Sequence, residues 1–214
     1  MNFKEYRSVL LAAGVLWLFV VGAGVRILWG YESTPGVSAA APDRWPADSR
    51  IKLASDRATL VMLAHPRCPC TRASIGELSR LMTQAQGRVT AYVLFVRPPN
   101  SSDGWEQTDL LTSAAAIPGV SVVRDDEGVE AGRFHAVTSG QTVLYDAEGR
   151  LLFSGGITGG RGHAGDNAGR AAVISLLTTD ESAGRETPVF GCPLFAGGAE
   201  CLGGKEGGHE KNNH

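Results

Sequence analysis

The sequence predicts an α/β domain, with a central mixed sheet and flanking helices, preceded by one N-terminal transmembrane helix. Short apolar runs alternate with helical patterns along the middle of the chain, a hairpin signature follows them, and the N-terminus carries an uninterrupted apolar span. At 214 residues the chain has room for one ordinary domain with appendages.

Residues 1–31 are predicted to form a membrane anchor. Residues 9–25 carry no charge, and as a helix they span about 25 Å. Lys4 and Arg7 precede this span, so the positive-inside rule predicts an N-terminus inside and a main domain in the periplasm or exterior. A cleaved signal peptide with small residues at 38–41 is the alternative. The long apolar run favours a single-pass protein of the cytoplasmic membrane.

Segments on either side of the predicted domain, residues 51–178, have a different composition. Residues 32–50 are rich in Pro and Ala and predict a tether. Residues 179–202 form a C-terminal extension that contains cysteines, and residues 203–214 are polar enough to predict a disordered tail.

The first half of the domain is predicted to contain parallel strands with helical crossovers. Residues 59–64 form a short, mainly apolar strand with no alternation, as expected of a strand buried on both faces. Apolar residues then recur at helical spacing over residues 71–84, and residues 88–96 form a second, β-branched strand. Residues 106–116 predict a helix that ends before Pro118.

The second half is predicted to end in an antiparallel hairpin. After a short strand at residues 120–123 and a short helix, residues 142–146 and 151–154 flank a turn signature. A Gly-rich loop, residues 155–165, leads to a final helix over residues 167–177. The whole order, β-α-β-α-β-α-β-β-α, predicts parallel pairing first and antiparallel pairing last.

The turn after the first strand carries the main chemical signal. Cys68 and Cys70 lie there, in the run Ala-His-Pro-Arg-Cys-Pro-Cys-Thr-Arg. A cysteine at a helix N-terminus is favoured as the thiolate, and Arg67 and His65 are expected to favour it further. Cys68 is therefore predicted to be a redox-active nucleophile. A structural disulfide, a buried thiol and a metal ligand are the alternatives.

The element order and the cysteine turn resemble the thioredoxin-like fold. The chain is most similar to RedB-type thioredoxin-like proteins, which are related to membrane-anchored TlpA and ResA-type thiol-disulfide oxidoreductases. The resemblance covers about residues 51–177. Residues 60–68 align without a gap with the strand and turn of thioredoxin, and residues 142–149 match a hairpin of the TlpA branch. It implies that Cys68 is the family's nucleophile.

The chain departs from the family pattern at several positions of the site. Thr71 occupies the family's resolving position, and Cys70 lies one place too early. Gly140 falls where thioredoxin-like proteins carry a cis-proline, and Arg67 replaces the Trp before the nucleophile. These departures imply an altered disulfide loop and a more positively charged entrance to the active site.

Several thiols are candidates to resolve a mixed disulfide on Cys68. Cys70 is the first choice because it is nearest, although a ring this short strains the disulfide. Cys192 is a second candidate, because the chain after the final helix is long enough to return to the site. A thiol of a partner protein is the third. For Cys192, a structural disulfide with Cys201 is the favoured alternative.

The resemblance also places the Gly-rich loop, residues 155–165, beside Cys68. Arg161 and His163 are therefore candidates to stabilise a thiolate by charge or hydrogen bonding. The alternative is a flexible loop that ends in a helix N-cap.

Together these features predict a membrane-anchored thiol-disulfide oxidoreductase whose partners are a protein disulfide or thiol, or a membrane thiol reductant. A thiol-dependent peroxidase that uses Cys68, with Thr71 as a hydrogen-bond donor, is an alternative. So is a copper-handling protein, because thiolates suit Cu(I). The Cys-x-Cys spacing lacks the ligand sets of structural zinc sites.

The net charge of −2 and the lack of a GxxxxGK loop argue against nucleic acid and nucleotide partners, and no cofactor is expected.

Overall fold

The computed structural model describes residues 3–99, 101, 104–178 and 184–195. The chain divides into two units at residues 34 and 35. The first unit consists of helix α1, Phe3–Ser33. This helix is long and apolar enough to cross a membrane, with a mean hydropathy of 2.3, and a signal sequence has the same character.

The second unit contains one five-stranded sheet with helices against it. Its elements, in chain order, are β1 Ala58–Ala64, α2 Pro69–Ala85, β2 Val89–Arg97, α3 Asp109–Ala115, β3 Val120–Asp126, α4 Val129–Arg133, β4 Gln141–Tyr145, β5 Leu151–Gly156 and α5 Ala168–Thr178. The strand order is β3-β2-β1-β4-β5, with β1, β2 and β3 parallel and with β4 antiparallel to both β1 and β5. The predicted thioredoxin-like fold is confirmed.

Strand β1 lies at the centre of the sheet and is covered on both faces. Leu60 and Met62 pack in one hydrophobic cluster with side chains of α2 and α5. Val61 and Leu63 point the other way and pack in a second cluster with Phe134. Successive side chains of a strand alternate between faces, so a strand covered on both faces is apolar throughout.

The sheet brings two segments together at the carboxyl end of β1. Helix α2 begins at Pro69, two residues before the predicted start, because proline is well suited to the first helical turn. Before β4, the Gly140 N–H donates to the Leu63 carbonyl oxygen at 2.8 Å. The segment that enters β4 therefore lies beside the cysteine turn.

The segment predicted as a tether differs from that prediction. Helix α1 continues to Ser33, and residues 35–50 are part of the second unit. Trp45 makes edge-on contacts with Phe134 and Tyr145, at centroid distances of 5.2 and 5.4 Å. The Tyr145 hydroxyl also donates to the Pro42 carbonyl at 2.9 Å. Composition misses this packing because one large aromatic side chain is enough to anchor a segment of small residues.

Candidate redox-active site

Cys68 is the N-cap residue of α2. Its backbone is extended, with φ −85° and ψ 121°, and its carbonyl accepts the Thr71 N–H at 3.1 Å. The side chain is fully buried. The sulfur therefore sits where unpaired N–H groups and the helix dipole favour an anion.

The cysteines of the turn meet a third one from the end of the chain. Cys68, Cys70 and Cys192 form a buried cluster with exposures of 0%, 8% and 3%. The Sγ atoms of Cys68 and Cys192 lie 3.0 Å apart, as thiols in contact. A disulfide requires about 2.05 Å, so a shift of about 1 Å would allow this bond.

The cluster gives its sulfurs different acidities. Hydrogen bonds with Cys192 and Cys70 lower the pKa of Cys68 and outweigh its burial. Cys192 also lowers the pKa of Cys70, but the hydrogen bond to Cys68, burial and the Cys68 charge together raise it. The cluster thus favours the thiolate form at Cys68 and the neutral thiol form at Cys70.

His65 and Arg67, which precede Cys68, both contact Trp105. His65 is fully buried, and burial lowers the pKa of its imidazole although the Cys68 charge opposes this, so the ring is neutral near pH 7. Its Nδ1 accepts the Arg67 N–H at 3.2 Å. The Arg67 guanidinium instead lies over the Trp105 ring, 4.9 Å from its centroid, and the His65 ring meets the same indole edge-on at 5.2 Å.

A buried hydroxyl pair fixes the turn. Thr71 Oγ1 lies 2.8 Å from Ser139 Oγ and donates to the His65 carbonyl at 3.2 Å, and Ser139 Oγ accepts the His65 N–H at 2.9 Å. Thr71 therefore positions the backbone of the cysteine turn. Sequence analysis missed Ser139 and Trp105, because no local pattern marks such distant contacts. Ser139 contacts His65, 74 residues before it, and Trp105 contacts Arg67, 38 residues before it.

Gly140 adopts a backbone conformation that favours glycine. Its φ is +89°, and the described residues contain no cis peptide bond. A Cβ at this position would lie 2.9 Å from Ser74 Oγ. A side chain here would therefore crowd the start of α2.

Residues 187–195, which we call the C-terminal strap, cover the cysteine turn. The Ser139 N–H donates to the Cys192 carbonyl at 2.8 Å, and the Leu194 N–H donates to the Val137 carbonyl at 2.9 Å. Thr138 and Pro193 form an antiparallel bridge between these bonds. The strap thus pairs with the segment before β4 and holds Cys192 against Cys68.

Arg161 and His163 differ in their relation to the site. The Arg161 guanidinium donates to the Gly191 carbonyl at 2.7 Å, so it holds the strap, and its charge also acts to lower the pKa of Cys70. His163 is exposed, and its Nδ1 lies 3.3 Å from the Arg161 carbonyl oxygen. The expected N-cap is present, since Asn167 Oδ1 accepts the Arg170 N–H at 2.8 Å.

The remaining predicted features concern metal and the second C-terminal cysteine. Over the part of the chain that the structure describes, no group of three or more His, Cys, Asp or Glu residues is arranged to hold a metal ion. Cys201 lies outside the described residues.

Comparisons with known proteins support the fold. No family model matches the chain, and no curated protein matches it significantly. A hypothetical protein from Sinorhizobium meliloti 1021 has a similar structure, with a TM-score of 0.55 and 20% identity, over 75% of this chain and 93% of that one. An uncharacterised conserved protein from Geobacillus kaustophilus also has a similar structure, with a TM-score of 0.55 and 15% identity. The match covers 78% of this chain and 92% of that one. At these identities the likeness shows the fold alone.

Proposed function

We propose that this protein is a membrane-anchored thiol-disulfide oxidoreductase whose reacting pair is Cys68 and Cys192. The observation that carries the proposal is the 3.0 Å contact between their Sγ atoms at the N-terminus of α2. A stabilised thiolate in contact with a second thiol is the arrangement that thiol-disulfide exchange requires.

The exchange begins at Cys68. Its thiolate attacks one sulfur of a substrate disulfide, which forms a mixed disulfide and expels the other substrate sulfur as a thiolate. The Cys192 thiol then loses its proton and attacks the Cys68 sulfur, which closes the Cys68–Cys192 disulfide and expels the second substrate thiolate. Two electrons pass from the dithiol to the substrate, and a partner dithiol restores the starting state. The reverse sequence oxidises a dithiol substrate.

Cys70 supports this pair in our proposal. It was the first choice from the sequence, but its pKa is raised and its thiol hydrogen-bonds to Cys68. A neutral thiol is a poor nucleophile and a useful donor to a thiolate. Cys70 therefore stabilises the reactive form of Cys68, and Cys192 resolves the mixed disulfide.

Disulfide mapping tests the pairing. We expect mild oxidation of the full-length protein, followed by acid quenching, alkylation and peptide mass spectrometry, to give a Cys68–Cys192 bond. A Cys192–Cys201 bond with Cys68 alkylated would contradict the proposal and support a structural disulfide. Conversion of Cys68 to sulfinic acid by peroxide, with rapid peroxide consumption before it, would favour the thiol peroxidase instead.

The anchor is proposed to place the domain outside the cytoplasm. The support is the apolar helix α1 with Lys4 and Arg7 before its apolar span. A reporter that is active only in the cytoplasm, fused after His214, should be silent, and the same reporter fused before residue 1 should be active. Activity of the C-terminal fusion would reverse the proposed orientation, and recovery of a shortened soluble protein would identify a cleaved signal.

A further inference from the structure

The chain that leads from α1 into the domain contacts the segments that carry the cysteine site. Residues 36–42, which we call the junction, come shortly after the end of α1. The Gly36 N–H donates to the Val189 carbonyl of the C-terminal strap at 2.8 Å. The buried Thr138 donates its hydroxyl to the Val37 carbonyl at 2.5 Å. The junction therefore holds the strap at one point and the segment before β4 at another.

Both of these points lie next to Cys192. Val189 comes three residues before Cys192 on the strap. Thr138 forms the antiparallel bridge with Pro193, and the next residue, Ser139, donates its N–H to the Cys192 carbonyl at 2.8 Å. Cys192 is therefore held between two segments that the junction fastens together.

Gly36 fits closely between these two segments. A Cβ at Gly36 would lie 2.6 Å from Cγ2 and 2.8 Å from Oγ1 of Thr138, and 3.3 Å from the Gly191 carbonyl oxygen. Carbon atoms that are not bonded to each other approach to about 3.5–4.0 Å. A side chain at Gly36 would therefore displace Thr138 or separate the junction from the strap.

We infer that the junction is part of the redox site, with Gly36 and Thr138 as positioning residues that hold Cys192 Sγ 3.0 Å from Cys68 Sγ. This inference rests on the proposed Cys68–Cys192 pair. Both residues act through the backbone of the strap and of the segment before β4. The chain that follows α1 thus sets how tightly the pair is held.

The quantity that the junction controls is the stability of the disulfide. One molecule of oxidised glutathione takes two electrons from the two protein thiols, which form a disulfide, and their two protons end on two molecules of reduced glutathione. The constant of this exchange is the effective concentration of one protein thiol at the other. Thiols that are held in contact have a high effective concentration, because little freedom is lost when the bond closes. A looser strap lowers this constant and makes the disulfide easier to reduce.

A full-length Cys70→Ala/Cys201→Ser parent allows the constant to be measured. It retains Cys68 and Cys192 of the four cysteines in the sequence. The parent and its variants are equilibrated in detergent with glutathione buffers of increasing oxidised-to-reduced ratio, quenched with acid and alkylated. Mass spectrometry gives the fraction of the Cys68–Cys192 disulfide at each ratio. Circular dichroism identifies any variant that has lost its fold.

Thr138→Val is expected to lower the constant by about fivefold, because it keeps the side-chain shape and removes the donor to the Val37 carbonyl. Thr138→Ser restores a hydroxyl and should return the constant to within about twofold of the parent. Thr112→Val is the matched control, because the exposed Thr112 hydroxyl donates to the Thr108 carbonyl at 3.5 Å in α3. It should stay within about twofold of the parent.

Gly36→Ala is expected to lower the constant by at least about tenfold, because its Cβ overlaps Thr138. Gly184→Ala is its control, since no atom lies within 4 Å of a Cβ at that position. It should stay within about twofold of the parent. In the reduced protein, Gly36→Ala should also speed the alkylation of Cys192, which is 3% exposed in the closed site. A merely structural contact would lower the free energy of unfolding and leave the exchange constant and this alkylation rate unchanged.

The outcomes separate this inference from the proposed function. Constants equal to that of the parent in Thr138→Val and in folded Gly36→Ala would overturn the positioning role and leave the pair intact. An equal loss in either control variant would also overturn it, because the effect would not be specific to the junction. If Gly36→Ala does not fold, the comparison of Thr138→Val with Thr138→Ser decides. A parent that forms no Cys68–Cys192 disulfide at any glutathione ratio would overturn the proposed function itself.

Discussion

Cys68→Ser is expected to lower the turnover of a model protein disulfide by at least about a thousandfold, because a serine hydroxyl cannot replace a thiolate nucleophile at neutral pH. The helix N-terminus and the thiols around Cys68 stabilise its charge, and these groups remain in the variant. Turnover is measured as thiol release under an excess of a reducing partner. Circular dichroism checks that the fold is kept.

The other cysteines of the cluster provide the comparison. Cys192→Ser should keep the first step, lose steady-state turnover and accumulate a mixed disulfide at Cys68 that mass spectrometry identifies. Cys70→Ala should lower turnover by less than about tenfold and raise the pH at which Cys68 is alkylated, because one donor to the thiolate is lost. If Cys70→Ala accumulates the mixed disulfide and Cys192→Ser turns over normally, Cys70 is the resolving thiol.

Glu77→Ala is expected to destabilise the domain by about 3–5 kcal/mol, since it removes the buried carboxylate beside Arg170 and leaves that cation only an exposed ion pair with Asp166. Glu77 is fully buried on α2, and its Oε2 lies 2.8 Å from Nε of Arg170, whose side chain is 13% exposed. Its Oε1 accepts the Gly165 N–H at 2.8 Å. The carboxylate thus ties α2 to α5 and to the loop that carries Arg161.

Urea unfolding followed by near-ultraviolet circular dichroism measures this loss. Glu148→Ala is the matched control, because Glu148 is 65% exposed and pairs with Arg150 at 3.2 Å on the surface. An exposed pair of this kind contributes about 0–1 kcal/mol. A loss below about 1 kcal/mol for Glu77→Ala would show that Asp166 and water are sufficient partners for Arg170, and would contradict the buried-pair account.

The sequence predicts the central part of the fold well because its signals there are local. Continuous apolar residues identify β1, and helical spacing after a proline identifies α2. The turn residues Ala147 to Gly149 predict the β4–β5 hairpin, which the structure contains. Each of these signals lies within a few residues of the structure it predicts.

The site is less predictable because its contacts join distant parts of the chain. Chain length showed that Cys192 could reach Cys68, but no periodicity in the strap indicates where it pairs. Sequence analysis missed the burial of His65, which lowers the pKa of its imidazole, because that burial depends on Trp105 and the rest of the fold. Arg161 was expected to act on a sulfur by its charge, and its charge does act on Cys70, but the hydrogen bond that it donates to the Gly191 carbonyl of the strap was not expected.

The position of the strap at the end of the chain also sets an order of events during synthesis. Cys68 precedes Cys192 by 124 residues, so at about 5–20 residues per second the turn is made on the order of ten seconds before its partner. If the nascent domain emerges into an oxidising compartment, as its proposed topology requires, Cys68 meets Cys70 and foreign thiols first. The proposed Cys68–Cys192 pair is then completed after any such disulfide on Cys68, by exchange, which is the same chemistry that the protein is proposed to perform.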